Sequence, residues 1–371
     1  MVQGRWKHTS ALAWRCGLAM SALSASNGYF HAALEADPDV QAMRERIAAR
    51  NKASQDRAAQ ARQYRQQQTP ATFSEPQEPS KSKSRWNNRS WTDKADVLDG
   101  KTLSNLNLAV SSSTKVGKRT YMEDRITMVT FDSPITEEPL AFVAVYDGHG
   151  GTQCASFLQT SLHGHLKQYL ANMETSFDEA SHRDLREVLT KACLQTDQAF
   201  LNSHATDDSG SCAVFALIGN DKWVVGNVGD SQVVVSRNGR AIDLCVAHSP
   251  QNPDERARIL SAKGHIVQDR YIFGYLGVSR SFGDRFLKLD RPVVITNPDV
   301  VSSHRRPGDE FLLLACDGLF EVFSPQEAVD FVAHHKTINQ MAPQAICDLL
   351  VQTAIENGSQ DNVSVVLVML E

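Results

Sequence analysis

Five acidic residues stand at the ends of apolar runs. Asp147 follows Leu140–Tyr146 and Asp317 follows Glu310–Cys316. Asp361 precedes Val363–Leu370, and the pair Glu123 and Asp124 precedes Ile126–Phe131. If neighbouring runs pair as antiparallel strands, the end of one lies beside the start of the next, and all five carboxylates converge on one edge of the sheets. Carboxylates gathered in one place do not all stay ionised without counter-charge. Hard divalent cations resolve that conflict, and Mg²⁺ or Mn²⁺ suit carboxylate, carbonyl and water ligands. Any one of these acids alone reads as a turn residue or a helix cap. The joint pattern carries the weight, because each acid adjoins glycine or asparagine: Asp147-Gly148-His149-Gly150-Gly151, Asp317-Gly318 and Asp361-Asn362. Glycine lets the backbone approach a ligand closely. The Asp-Gly-His-Gly-Gly run is expected to end its strand and to place carbonyl and carboxylate oxygens around an ion.

The elements that position these acids are short apolar runs rich in Val, Leu and Phe, four to eight residues long. They are Ile126–Phe131, Leu140–Tyr146, Ala213–Ile218, Trp223–Gly226, Gln232–Ser236, Glu310–Ala315 and Val363–Leu370, and they read as buried strands. Helical stretches lie between them: Gly151–Met173, His182–His204, Asp254–Lys263, Pro325–Lys336 and Pro343–Asn357. The helices come in pairs rather than in strict alternation with strands. That favours an α+β fold of packed antiparallel sheets covered by helices over a doubly wound parallel sheet.

Composition bounds the rest. The chain has 371 residues with 42% hydrophobic and 22% charged, ordinary globular usage, which excludes a wholly disordered chain, a collagen and a polytopic membrane protein. The net charge of −5 argues against a nucleic-acid binder. Residues 1–107 hold 16 Lys+Arg against 10 Asp+Glu, whereas residues 108–371 hold 22 against 33. An acidic domain with a basic extension is expected, with residues 1–104 as the extension and 105–371 as the domain. Within the extension, Asp37 to Gln68 reads as a mostly polar helix and Thr69 to Asn88 as a linker. The first 34 residues carry Arg5, Lys7 and Arg15 and no acid, a composition shared by organelle transit peptides and by unstructured starts. The apolar stretch from Ala11 to Leu23 is too short to span a bilayer. The seven cysteines include no Cys-x-x-Cys, so buried free thiols in a reducing compartment are expected, cytoplasmic or mitochondrial.

The ordered motifs resemble those of the metal-dependent protein serine/threonine phosphatases, the PPM family of type 2C. They are Arg119-Thr-Tyr-Met-Glu123-Asp124, Tyr146-Asp147-Gly148-His149-Gly150-Gly151, Ser209-Gly210-Ser211-Cys212-Ala213 and Asn227-Val-Gly229-Asp230-Ser231. Then come His248-Ser-Pro250 with Glu255 and Arg258, Val278-Ser279-Arg280-Ser-Phe282-Gly283-Asp284, Ala315-Cys316-Asp317-Gly318-Leu319 and Ser359-Gln-Asp361-Asn362-Val-Ser364. The resemblance covers about Leu106 to Glu371. It implies two packed antiparallel β-sheets, a central β-sandwich, flanked by pairs of α-helices in four layers, α-β-β-α.

It also implies a site. Asp147 would bridge two Mg²⁺ or Mn²⁺ ions, Asp317 and Asp361 would hold one, and Glu123 with the carbonyl of Gly148 would hold the other. Asp230, with Asp317, would hold a weaker third. Asp124 would orient the attacking water, Arg119 would bind the substrate phosphate, and His149 would protonate the leaving alkoxide. Cys212, Gln232, Glu321 and His265 depart from the family pattern, and Glu321 bears on the third ion. Cys316, at the end of an apolar run, reads as a core residue rather than a nucleophile. The implied activity is hydrolysis of phosphoserine and phosphothreonine in phosphorylated protein substrates, by a monomer with no nucleic-acid partner and no transmembrane span. Two other readings use the same residues: a catalytically silent phosphatase fold acting as a binding module, and a hydrolase of small phosphoesters. The intact Glu123, Asp147, Asp317 and Asp361 speak against the first.

Overall fold

A computed structural model describes residues 98–288 and 291–370. The expected helix over Asp37 to Gln68, the linker over Thr69 to Asn88 and the N-terminal targeting reading lie outside the described residues. The described chain opens with helix α1 (Gly100–Asn105), whose start is capped by the Asp99 side chain accepting from Thr102 N. Strands β1 (Leu108–Lys115), β2 (Arg125–Asp132) and β3 (Pro139–His149) follow, then helices α2 (Gln153–Leu170) and α3 (His182–Ser203). Next are β4 (Gly210–Ile218), β5 (Lys222–Val228), β6 (Gln232–Arg237), β7 (Arg240–Asp243), α4 (Pro253–Ser261) and three two-residue strands, β8 (Ile266–Val267), β9 (Tyr271–Ile272) and β10 (Phe282–Gly283). The chain closes with β11 (Asp299–His304), β12 (Asp309–Ala315), α5 (Asp317–Phe320), α6 (Pro325–Thr337), α7 (Pro343–Glu356) and β13 (Val363–Leu370).

The strands form two main sheets, ordered β1-β13-β12-β6-β7 and β11-β5-β4-β3-β2, with β10 beside β4. Every pairing within them is antiparallel. The inner faces bury Val143, Val145 and Val214 of one sheet against Val235, Leu314 and Val366 of the other, and Leu103 and Leu106 of the α1 segment join the same cluster. On the outer face of the second sheet, Phe142 and Phe215 meet Leu158 and Leu162 of α2 and Phe200 of α3. On the outer face of the first, Leu313 and Leu367 meet Val332 of α6 and Leu350 of α7. The result is the α-β-β-α order that the family resemblance implies. β4 shows the logic most clearly: it is central, covered on both faces, and all nine of its residues are buried. Local chemistry sets the helix starts. Ser181 with Asp184 and Ser324 with Glu327 form capping boxes, and proline occupies the first turn of α4, α6 and α7.

Two expectations are corrected. β3 does not stop at Tyr146: it runs through Asp147 and Gly148 to His149, pairing those residues with Cys212, Ser211 and Gly210. The small residues opposite let the glycine-rich end stay in the ladder. β1, β7 and β11, all at sheet edges, are absent from the expected strands: Ser111–Ser113 and Ser302–Ser303 dilute the apolar signal of β1 and β11, and β7 offers only Ala241 and Ile242 between charged residues.

Much of the stretch between β7 and β11 lies beside the two sheets, with β10 joining β4 and Phe282 entering the core, and an ionic network holds it. Glu255 accepts from Ser279 Oγ at 2.6 Å, Arg280 Nη2 at 2.6 Å and Arg258 Nη2 at 2.8 Å. Arg280 also donates to Asp299 Oδ1 at 2.9 Å, and His248 Nε2 lies 3.1 Å from Asp299 Oδ2. His248 Nδ1 accepts from Gly229 N at 3.0 Å, which ties this network to the residue before Asp230. Burial alone would raise the Glu255 carboxyl, but Arg280, Arg258 and Ser279 together hold it at about 2. Its folded value lies below the ordinary 4.5, so its stabilisation is complete above that pH and fades as pH falls from 4.5 toward 2. Glu255→Gln should therefore lower Tm most at pH 7, with the gap to the parent protein closing toward pH 3. A gap constant across a series of thermal melts would remove Glu255 from this role.

Candidate active site

Antiparallel register brings the acids together. Asp147 sits in β3 opposite Cys212 of β4. Ala315 at the end of β12 pairs with Gln232 at the start of β6 and with Val365 of β13. Asp317 lies two residues beyond Ala315, Asp230 two before Gln232 and Asp361 four before Val365, so all are delivered to one edge. Asp147, Asp230 and Asp317 each offer a carboxylate oxygen, and these oxygens lie within 4.8 Å of one another. Burial and the charges of Asp317, Asp124, Asp230 and Asp361 push the Asp147 carboxyl well above its usual range. Burial, with Asp230 and Asp361, pushes Asp317 up to about 7. Burial likewise lifts Asp124 to about 6, against the hydrogen bond it accepts from Ser364 Oγ at 2.6 Å. The site as built is an excess of oxygen ligands and negative charge. That donor set fits hard divalent cations.

The remaining expected residues surround this centre. Glu123 Oε1 accepts from Gly151 N at 2.6 Å, and burial raises the Glu123 carboxyl. Gly148 packs against the Glu123 backbone so tightly that a Cβ there would stand 2.4 Å from the Glu123 carbonyl oxygen. Arg119 Nη2 reaches Asp361 Oδ2 at 2.6 Å, while its side chain stays 54% exposed. It is a cation at the rim, open to solvent on its other side. His149 Nε2 lies 2.8 Å from Asp284 Oδ2, with the histidine side chain 27% exposed and the aspartate buried. Burial pulls the His149 pKa down, but the Asp284 carboxylate, with Asp230 and Glu123, outweighs it and the net shift is upward.

Residues 108–363 match the family pattern described as protein phosphatase 2C. The chain is 34% identical over 301 residues to a probable protein phosphatase 2C of Arabidopsis thaliana, covering 69% of this chain and 72% of that one. It is 36% identical over 281 residues to a probable protein phosphatase 2C of Caenorhabditis elegans, covering 72% and 75%. Its fold is shared with the crystal structure of a serine-threonine phosphatase 2C from Toxoplasma gondii, at a TM-score of 0.60 and 22% identity, over 71% of this chain and 95% of that one. The chain belongs to the protein phosphatase 2C family.

Within this phosphatase 2C chain, the departures noted in the sequence have definite surroundings. Cys212 is buried, and its thiol donates to Asp230 Oδ1 at 3.4 Å. Glu321 is used elsewhere: its Oε2 accepts from Gln360 N at 2.9 Å and Ser359 Oγ at 3.3 Å. Cys316 is buried, and burial with the nearby Asp124, Asp147 and Asp317 keeps its thiol well above the usual range, unlike a nucleophilic thiolate.

The motif reading named Asp284 without giving it a task. The structure does: Asp284 takes a left-handed conformation (φ 47°), accepts from Ser281 Oγ at 2.5 Å and faces His149. Gly210 makes room for that pair, since a Cβ there would lie 2.2 Å from both Asp284 Oδ2 and His149 Nε2. Gly210→Ala should cost about 1–3 kcal/mol by overpacking and split the His149–Asp284 contact. Chemical denaturation and the NMR titration of the His149 ring together check this; an unshifted His149 titration would contradict it.

Proposed function

We propose that the protein hydrolyses phosphoserine and phosphothreonine in proteins with two divalent cations, Mg²⁺ or Mn²⁺, held by the acids at the sheet edge. Family membership makes it a protein serine/threonine phosphatase. The observation that carries the two-cation reading is the half-buried grouping of Asp147, Asp230 and Asp317, with Asp124 and Asp361 close enough to perturb it and Glu123 close enough to perturb those two. Asp147, Asp317 and Asp361 would hold one ion, Glu123 and the Gly148 carbonyl the other, with Asp147 shared. Asp230 with Asp317 supports a weaker third, a role for which Glu321 is otherwise occupied. The bound ions would supply an acidified water and neutralise charge on the phosphoryl oxygens.

The chain's own residues do the rest. Arg119 offers a planar guanidinium at the rim, suited to gripping the phosphate through two oxygens. Asp124, with Oδ2 taken by Ser364, keeps its other oxygen to orient the attacking water. As the water oxygen bonds to phosphorus, the bond to the serine or threonine oxygen breaks. That alkoxide is a poor leaving group and needs a proton. His149 Nε2 is held by Asp284, so Nδ1 is the nitrogen that delivers it. Serine and cysteine nucleophiles have no part in this scheme.

Other parts of the reading follow from the same basis. A basic extension over residues 1–104 precedes the phosphatase domain over 105–371, although Leu103 packs with the domain's inter-sheet core. The protein would act on phosphoproteins as a monomer. No helix among the described residues is long and apolar enough to cross a membrane.

The direct experiment is dephosphorylation of a phosphothreonine peptide by the full chain with Mn²⁺, with Mg²⁺ and with excess EDTA. Turnover that needs metal is expected, with Asp147→Asn lowering it about 10³-fold or more while the circular dichroism is unchanged. Turnover that survives EDTA would overturn the reading. His149→Gln should slow the peptide reaction about 10²-fold and that of p-nitrophenyl phosphate far less, because nitrophenolate leaves without a proton. Equal losses on both substrates would take the proton-donor role from His149.

A further inference from the structure

Asn362 has no part in the chemistry above, yet it joins several arms of the site. It follows Asp361 at the head of β13 and is 4% exposed. Its Oδ1 accepts from Glu123 N at 2.8 Å, and its Nδ2 donates to Val116 O at 2.9 Å and to Tyr121 O at 3.2 Å. These contacts bracket the irregular segment 116–123, and Arg119 lies inside that bracket. At its other side, Asn362 N donates to Asp361 Oδ1 at 2.7 Å, and its carbonyl oxygen accepts the Cys316 thiol at 3.4 Å. That oxygen also fills the space beside Gly318, where a Cβ would meet it at 2.1 Å. The amide therefore ties the segment bearing the phosphate-gripping guanidinium to the strand head bearing Asp361.

We infer that Asn362 is the positioning residue for Arg119: its amide sets the distance between the guanidinium and the carboxylate centre. The inference rests on the phosphatase reading above. The chemistry calls for an amide at this place. One acceptor and two donors are needed, and asparagine carries both on one short, stiff side chain. Aspartate has the same shape but no donor for the two carbonyls, which would be left facing an anion. Arg119 reaches Asp361 from this segment, so a drift of its backbone changes the guanidinium's reach, and a displacement of about 1 Å in a substrate-positioning group can cost about 10²-fold.

The test is a double-mutant cycle in the full chain, with Mn²⁺ and a phosphothreonine peptide. Asn362→Asp should raise KM about tenfold or more with a smaller loss in kcat, and Arg119→Ala should act in the same direction. The double variant should be no worse than Arg119→Ala within about twofold, because Asn362 acts through Arg119. Hydrogen exchange should quicken across 116–123 in Asn362→Asp while Val363–Leu370 keeps its protection. If Asn362→Asp does not fold, Asn362→Ser, which adds no charge, replaces it in the same cycle. Losses that multiply in the double variant, or a KM that does not move, would overturn the inference. Failure of the phosphatase reading looks different: the parent protein would then leave the peptide intact with every divalent cation, whatever the exchange in 116–123 shows.

Discussion

Carboxylates repel at close range, and the edge where the two sheets of this phosphatase 2C chain meet holds six of them: Glu123, Asp124, Asp147, Asp230, Asp317 and Asp361. At the 4.8 Å that bounds Asp147, Asp230 and Asp317, each pair of full charges costs roughly 3 kcal/mol at an effective dielectric of about 20. Burial adds to that cost. Arg119 offsets part of it, since it reaches Asp361. The upward shifts of Asp147, Asp317 and Asp124 express the remainder. Such a centre persists only if the scaffold over-determines it and if cations stabilise it in use.

The scaffold meets the first condition through register. Two antiparallel sheets, each covered by its own helix pair, fix where every strand ends to within a residue, because a one-residue slip in β3, β4, β12 or β13 would exchange the side chains fitted between the sheets with those fitted under the helices. The dry core between the sheets is thus what locates the acids at their edge. Close backbone contacts do the fine placement. Gly148 lies against Glu123 and Gly318 against Asn362, at separations that no side chain would permit. The ionic network of Glu255, Arg280, Asp299 and His248 extends this control outward, linking the stretch beyond the sheets to Gly229, beside Asp230.

In the proposed scheme, proton delivery and phosphate capture are handled by different means. His149 lies at the end of β3 and takes its charge bias from Asp284, a residue 135 positions later that is held in a left-handed conformation behind Gly210. Arg119 lies on an irregular segment that the Asn362 amide holds at both ends. One is rigid through its strand, the other through a side-chain clamp. The clamp leaves the guanidinium open to solvent, where a phosphorylated peptide can reach it.

Much of this was legible in the sequence. The apolar runs showed the central strands, because strands covered on both faces carry dense Val, Leu and Phe, and β13 appears with the same bounds in both readings. Acids at run ends, beside glycine or asparagine, marked the site before any coordinates did. The edge strands β1, β7 and β11 were not legible, because serines or charged residues dilute their apolar content and their neighbours' register specifies them, whereas the edge strand β2 keeps enough apolar residues to show. Nor was the continuation of β3 through Asp147-Gly148-His149, which depends on the small residues of β4 opposite it. Sequence alone determined the residue types, the carboxylates, a histidine and an arginine, and the order of the motifs that carry them. Only the tertiary structure decided that Asp284 faces His149, that Glu321 binds Ser359 and Gln360, and that Asn362 clamps the Arg119 segment. Those contacts join positions dozens to hundreds of residues apart, and their partners are chosen by packing and register, which local sequence does not encode.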